Sequence, residues 1–135
     1  MKYITIIIFS LLTISLFQCK SKETEKIIKS LHGQLMLLHD ETMAKQGESM
    51  SLIAQLKAIK ESSAVDNATT IDSIRTELDY SNEMMMDWMA DYQDPVTNDT
   101  SSISYLRSQI DQMNKISSHM QHNIELAKSI LPKSN

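Results

Sequence analysis

The chain has 135 residues, a formal net charge of −4 and 41% hydrophobic residues, enough for one packed domain. Its acidity argues against nucleic acid as a partner, because phosphate binding needs a basic surface. One cysteine excludes an internal disulfide and a cysteine zinc site, and two glycines with two prolines are too few turn residues for a β-rich domain.

Residues 1–18 read as a lipoprotein signal peptide. Lys2 supplies a positive charge, residues 4–17 are greasy, and Cys19 follows at once. The apolar run is about 15 residues, short of the roughly 20 that a spanning helix needs. Leu16, three places before Cys19, fits a lipobox, whereas Phe17 and Gln18 stand where small residues are usual. Lipoproteins of the Bacteroidetes resemble this looser pattern. On this reading Cys19 is the lipid attachment site, carrying palmitate-type acyl chains, and becomes the first residue of the mature protein. Two or three chains on one cysteine give stable anchoring. The expected location is the cell envelope, on the inner or outer membrane, with the domain in the periplasm or at the cell surface. Residues 19–26 then form a lipid-attached tether.

Residues 27–132 are expected to form an all-α domain. The spacing of apolar residues predicts helices over about 23–62, 68–92 and 102–131. In the first, Ile27, Leu31, Leu35, Leu38, Met43, Met50, Ile53, Leu56 and Ile59 are spaced mostly by three and four. Gly33 and Gly47 each cost about 1 kcal/mol in a helix relative to Ala, which points to a kink or a close helix contact. Asp66 or Asn67 is a candidate cap for the second helix. There Ile71, Ile74, Leu78, Ser81, Met85, Trp88 and Tyr92 alternate steps of three and four, a heptad stripe that only Ser81 interrupts. Asp94 and Pro95 end it. Thr100, Ser101 or Ser102 is the expected cap of the third helix. Its stripe is Ile103, Leu106, Ile110, Met113, Ser117, Met120, Ile124, Ala127 and Leu131, and Pro132 stops it. Short loops between long amphipathic helices predict an up-down-up antiparallel three-helix bundle with coiled-coil-like packing.

Two clusters carry unusual side chains. One holds His39, Asp40, Glu41 and Met43; the other holds Met84, Met85, Met86, Asp87, Trp88, Met89 and Tyr92. Folding the first helix onto the second about a turn near residue 65 sets residue i opposite roughly residue 130 − i. His39 then lies level with Asp91, Met43 level with Asp87, and Tyr105 nearby. The structural expectation is a Met-lined core anchored by Trp88, with His39 bonded across to Asp87 or Asp91. The chemical alternative is a soft-metal site, copper above all, built from His39, Met43 and Met89, because thioether and imidazole ligands suit copper. His119 and His122, spaced i and i+3, are expected about level with Ser73 as exposed residues, or as a weak metal pair. His32 reads as exposed. No serine sits in a nucleophile elbow, and consecutive His39, Asp40 and Glu41 point in different directions on a helix, so catalysis is not expected. No resident cofactor is expected.

The run His39, Asp40, Glu41, Met43 and Gly47, then Leu56 and Lys57, then Asn82, Met84, Met85, Asp87, Trp88, Met89 and Tyr92, resembles a group of small helical Bacteroidetes lipoproteins often labelled "viral A-type inclusion protein". That group carries no established activity. The resemblance implies export, lipidation and a helical fold. The expected role is a non-enzymatic structural or protein-interaction module held on a membrane, associating with itself or with an envelope protein. The alternative is a periplasmic binder of copper or a small ligand.

Overall fold

The computed structural model describes the backbone of residues 2–62 and 68–132, and the side chains of residues 22–61 and 68–132. Three helices pack against one another: α1 (Lys2–Ser62), α2 (Ala68–Asp91) and α3 (Ser101–Ile130). No strand occurs among the described residues. The side chains of residues 1–21, where the signal peptide and Cys19 lipid site are expected, and the candidate caps Asp66 and Asn67 lie outside the described residues. The helix bounds differ from expectation at the ends. Helix α1 starts at Lys2, because residues 2–26 hold no Gly or Pro to break it, and α2 ends at Asp91, three residues ahead of Asp94.

Contacts fix how the helices meet. Lys60 pairs with Asp72, His39 lies against Trp88, and His32 approaches Asp94, so numbers fall along α2 as they rise along α1. Trp88 bonds Gln109 and Ser81 meets His119, so numbers fall again from α2 to α3. Lys45 reaches Ser117, level with it on α3.

The core runs the length of the bundle. On α2, Ile71, Ile74, Leu78, Ser81, Met85 and Trp88 are buried, six of the seven stripe positions, with Tyr92 half-buried. On α3, Leu106, Ile110, Met113, Ser117, Met120, Ile124 and Ala127 are buried, and Ile116 and Asn123 widen that face. On α1 the buried row is Ile28, Leu35, Thr42, Ser49 and Leu56, joined by Gln46 and Leu52. This corrects the sequence expectation at two places. Met43 is 37% exposed and Met50 is 62% exposed, while their polar neighbours Thr42 and Ser49 are fully buried. The cause is rotational. Ile28, Leu35 and Leu56 share one seven-residue row, and a heptad row keeps facing its partners along a supercoil. Thr42 and Ser49 belong to that row. Met43 and Met50, one residue on, are turned about 100° away.

The buried hydroxyls are handled in different ways. Thr42 Oγ1 donates to the Leu38 carbonyl at 2.7 Å, and Ser81 Oγ donates to the Glu77 carbonyl at 2.7 Å. This back-bonding to residue i−4 satisfies a hydroxyl inside a helix. Ser117 Oγ accepts from Lys45 Nζ at 2.9 Å. Ser49 Oγ is buried without a partner. Gly33 and Gly47 do not mark a close contact within the bundle, since a Cβ at either would meet nothing within 4 Å.

The α2–α3 connection is pinned at several points. Thr100 occupies the cap position of α3, yet its side chain makes no capping bond. The Asp99 carboxylate accepts from the Ser101 amide at 2.9 Å instead. Hydrogen bonding from the Ser101 side chain, then from its amide, lowers the Asp99 pKa from its ordinary value. Ser102 Oγ, another expected cap, donates to the Val96 carbonyl at 2.9 Å and ties the loop to the helix.

Ser49→Ala removes an unpartnered buried hydroxyl without creating a large cavity. It is expected to raise unfolding free energy by about 1 kcal/mol in urea titrations. Leu35→Ala, in the same row, is expected to lower it by about 3 kcal/mol. A loss on Ser49→Ala would show that this hydroxyl is bonded in the folded protein.

Candidate functional site

The end of the bundle nearest the α2–α3 loop carries a column of stacked rings. Trp88 is its centre, 7% exposed. Its ring centroid lies 4.9 Å from Tyr92, one helical turn on, and 5.7 Å from His39 on α1. Tyr92 also stacks on His32, at 6.5 Å and 12°, and on Tyr105 of α3, at 6.2 Å and 26°. Offset stacks at such separations are favourable beyond the area they bury. All three helices contribute, so the column ties them at one level.

Polar groups fix the rings. Trp88 Nε1 donates to Gln109 Oε1 at 2.7 Å, which satisfies the indole's single donor. The Gln93 amide, just past the end of α2, donates to Tyr105 Oη at 2.9 Å. His39 Nδ1 donates to Asp40 Oδ1 at 3.0 Å. The expected bond from His39 to Asp87 or Asp91 is therefore replaced by a bond to its own chain neighbour and a ring contact with Trp88. Two polar atoms of the column, His32 Nε2 and Tyr92 Oη, are buried without a hydrogen-bond partner. His32 Nε2 comes no nearer than 3.8 Å to the Asp94 carboxylate. His32 is thus half-buried and stacked, contrary to the exposed position expected for it.

The other singled-out residues separate into inner and outer positions. Met85 is fully buried in the core. Met84 is partly buried against it, and Met86 is 53% exposed. Met43 and Met89 each lie 37% exposed on the outside of their helices. Asp40, Glu41, Asp87 and Asp91 are exposed. Asp87 and Asp91 stand at the rim of an open cleft of about 310 Å³ between α2 and α3, with Met84, Trp88, Gln109 and Lys115 on its walls. Among the described residues, no three His, Cys, Asp or Glu side chains are grouped to hold a metal ion.

The second histidine group sits near Glu77 and Ser81, a turn or two from the level of Ser73 expected for it. His119 Nδ1 is 2.8 Å from Ser81 Oγ, and His119 Nε2 is 3.3 Å from Glu77 Oε2. Its ring meets Tyr80 edge-on at 5.8 Å. Both ring nitrogens of His119 therefore have partners on α2, while His122 is exposed. As a pair for a metal, the two are in different surroundings.

Family models, curated proteins and solved structures give no match to this chain. The site is therefore read from its own geometry. That geometry is a rigid, ring-stacked clamp at one end of the bundle beside a shallow acidic cleft. Gln109 was not singled out from sequence. Its spacing of four from Tyr105, on the α3 face level with Trp88, was the available signal.

Tyr92 gives the column a measurable signature. Burial, then the nearby Asp94 carboxylate, then Tyr105 push its phenol from 10.0 up to about 12. The folded protein thus holds this proton more tightly than the unfolded chain does. The resulting stabilisation is complete below pH 10 and is lost as pH rises toward 12. An ultraviolet titration should show one late-ionising tyrosine, absent in Tyr92→Phe. A wild-type titration matching that variant's would mean that the phenol is solvated.

Proposed function

We propose that this chain is a lipid-anchored, non-enzymatic interaction module of the cell envelope. Lipid on Cys19 holds it to a membrane, and the domain acts as an up-down-up bundle with coiled-coil-like packing. The observation that carries the reading is the continuity of α1 from Lys2 to Ser62. Among the described residues the first buried core residue, Ile28, follows Cys19 by about 14 Å of helix at about 1.5 Å per residue. A lipid at Cys19 would thus be joined to the bundle by a stiff, short arm. The opposite running order of neighbouring helices and the seven-residue rows support the bundle topology. The small Bacteroidetes helical lipoproteins that the sequence resembles fit the same reading.

A second reading, a soft-metal binder, draws on one feature. Asp40 accepts the Nδ1 proton of His39, which leaves Nε2 with a lone pair, as in many metal-ligating histidines. Met43 lies one turn on from His39, half exposed.

Intact-mass analysis of the membrane-extracted chain tests the first reading. The expected species starts at Cys19 and carries two or three acyl chains, and Cys19→Ala abolishes it. A chain cleaved elsewhere, or bearing no lipid, would overturn the anchor. Native mass measurement with Cu(I) separates the second reading: an adduct lost in both His39→Ala and Met43→Ala would favour metal handling.

A further inference from the structure

Helix α1 carries a second heptad stripe on the face turned away from the bundle. Met43 and Met50 form one row, whose earlier member Met36 packs partly against the core, and Asp40, Gly47 and Ala54 fall in the row four residues on, with Gly33 two turns before Asp40. Met43 is 37% exposed and Met50 is 62% exposed, with Leu37 beside them at 62%. The neighbouring row of Ala44, Ser51 and Ala58 is small and exposed as well. The bundle itself makes no use of the glycines, since a Cβ at either would meet nothing within 4 Å. Each nonetheless costs about 1 kcal/mol of helix stability relative to Ala. Small residues beside large, flexible thioethers suit close approach of another helix.

The charges at the two ends of the stripe identify that helix. Asp40 stands at one end, its side chain 78% exposed, and Lys57 stands exposed at the other. Between them the two rows hold no charge. In an antiparallel pair of copies, residues of one row face residues of the other row. One register then sets Asp40 opposite Lys57, Met43 opposite Ala54, and Gly47 opposite Met50, with each relation repeated by symmetry. Large side chains meet small ones and opposite charges meet at both ends. A parallel pair sets Asp40 against Asp40 and Lys57 against Lys57.

We propose that the outer face of α1, from Asp40 to Lys57, is a self-association surface that pairs antiparallel with α1 of a second copy. The pairing is isologous, so one patch serves both partners. It rests on the interaction-module reading and does not depend on lipid at Cys19.

The test uses the full chain in mild non-ionic detergent with Cys19→Ser, so that an introduced thiol is the only one. Two tagged variants are made, Met43→Cys and Ala54→Cys. Under gentle oxidation, cross-linking is expected only when the two are mixed. Cross-linking of either variant with itself would indicate parallel pairing and overturn the proposal. A monomer by sedimentation up to about 100 μM would overturn it too. Lys57→Asp is expected to weaken the dimer by about tenfold or more, and the swap Asp40→Lys with Lys57→Asp to restore it. Lys57 is exposed, so circular dichroism should stay unchanged in Lys57→Asp, and near-ultraviolet dichroism of Trp88 reports whether the swap variant, which also loses the Asp40 bond to His39, keeps the ring column. The mass of the lipidated species reports the anchor separately, so failure of the dimer leaves the anchor reading intact.

Discussion

The rotation of α1 about its own axis sets the rest of the structure. Ile28, Leu35 and Leu56 all fall in one seven-residue row, and burying the three together leaves one orientation for the whole helix. Everything between them follows. Thr42 and Ser49 turn inward and Met43 and Met50 turn outward, although hydrophobicity at those four positions alone would favour the reverse. Turning α1 by one residue would bury the two methionines but would also bring in Lys29 and Lys57, which occupy the same row. Burying two unpaired ammonium groups costs far more than exposing two thioethers gains. The ends of the helix therefore decide for the middle.

This orientation gives the bundle two different regions. Its loop end is held by stacked rings from all three helices, with Trp88 bonded to Gln109 and Tyr105 bonded to the chain just beyond α2. Its middle is a hydroxyl layer of Thr42, Ser49, Ser81 and Ser117. Short side chains in the middle let the helices approach closely, and back-bonds to their own helix carbonyls satisfy Thr42 and Ser81. Lys45, His119 and Glu77 close over the layer from its edges. Two contacts of this layer cross between helices, Lys45 to Ser117 and Ser81 to His119, and a slip of one turn would break both, so they favour one register.

Much of the fold was legible in the sequence because α2 and α3 follow a single rule. Their apolar residues recur at three and four, and those residues are the ones at least partly buried. Pro95 and Pro132 stand just past α2 and α3, and scarcity of both residues left the long helices uninterrupted. Turn position and helix rise set His39 level with Asp91, whereas its ring meets Trp88, three residues earlier on α2. What was not legible came from competition between rules. On α1 two apolar patterns overlap, one facing inward and one outward, and a list of hydrophobic positions merges them. The exact seven-residue spacing of Ile28, Leu35 and Leu56 separates them only once polar members of a row are admitted. The half-buried place of His32, expected to be exposed, and the role of Gln109 were hidden for a different reason. Their roles come from rings and amides on other helices, and no local spacing encodes those. Asp99 was passed over as a cap because Thr100, Ser101 and Ser102 crowd the same turn, and backbone conformation chooses among them.

The two faces of α1 explain each other. Over residues 42–50 the helix places hydroxyls toward its own bundle and thioethers toward the outside. A domain selected only for its own packing gains by the opposite placement, because each buried methionine is worth about 1.5–3 kcal/mol relative to an exposed one. Glycines at 33 and 47 add cost on the same outer face without relieving any internal contact. These terms all disfavour the isolated bundle and all favour a helix lying along α1. The outer stripe is thus a place where the chain's local composition departs from what its own core requires, which is the departure the proposed pairing with a second copy would explain.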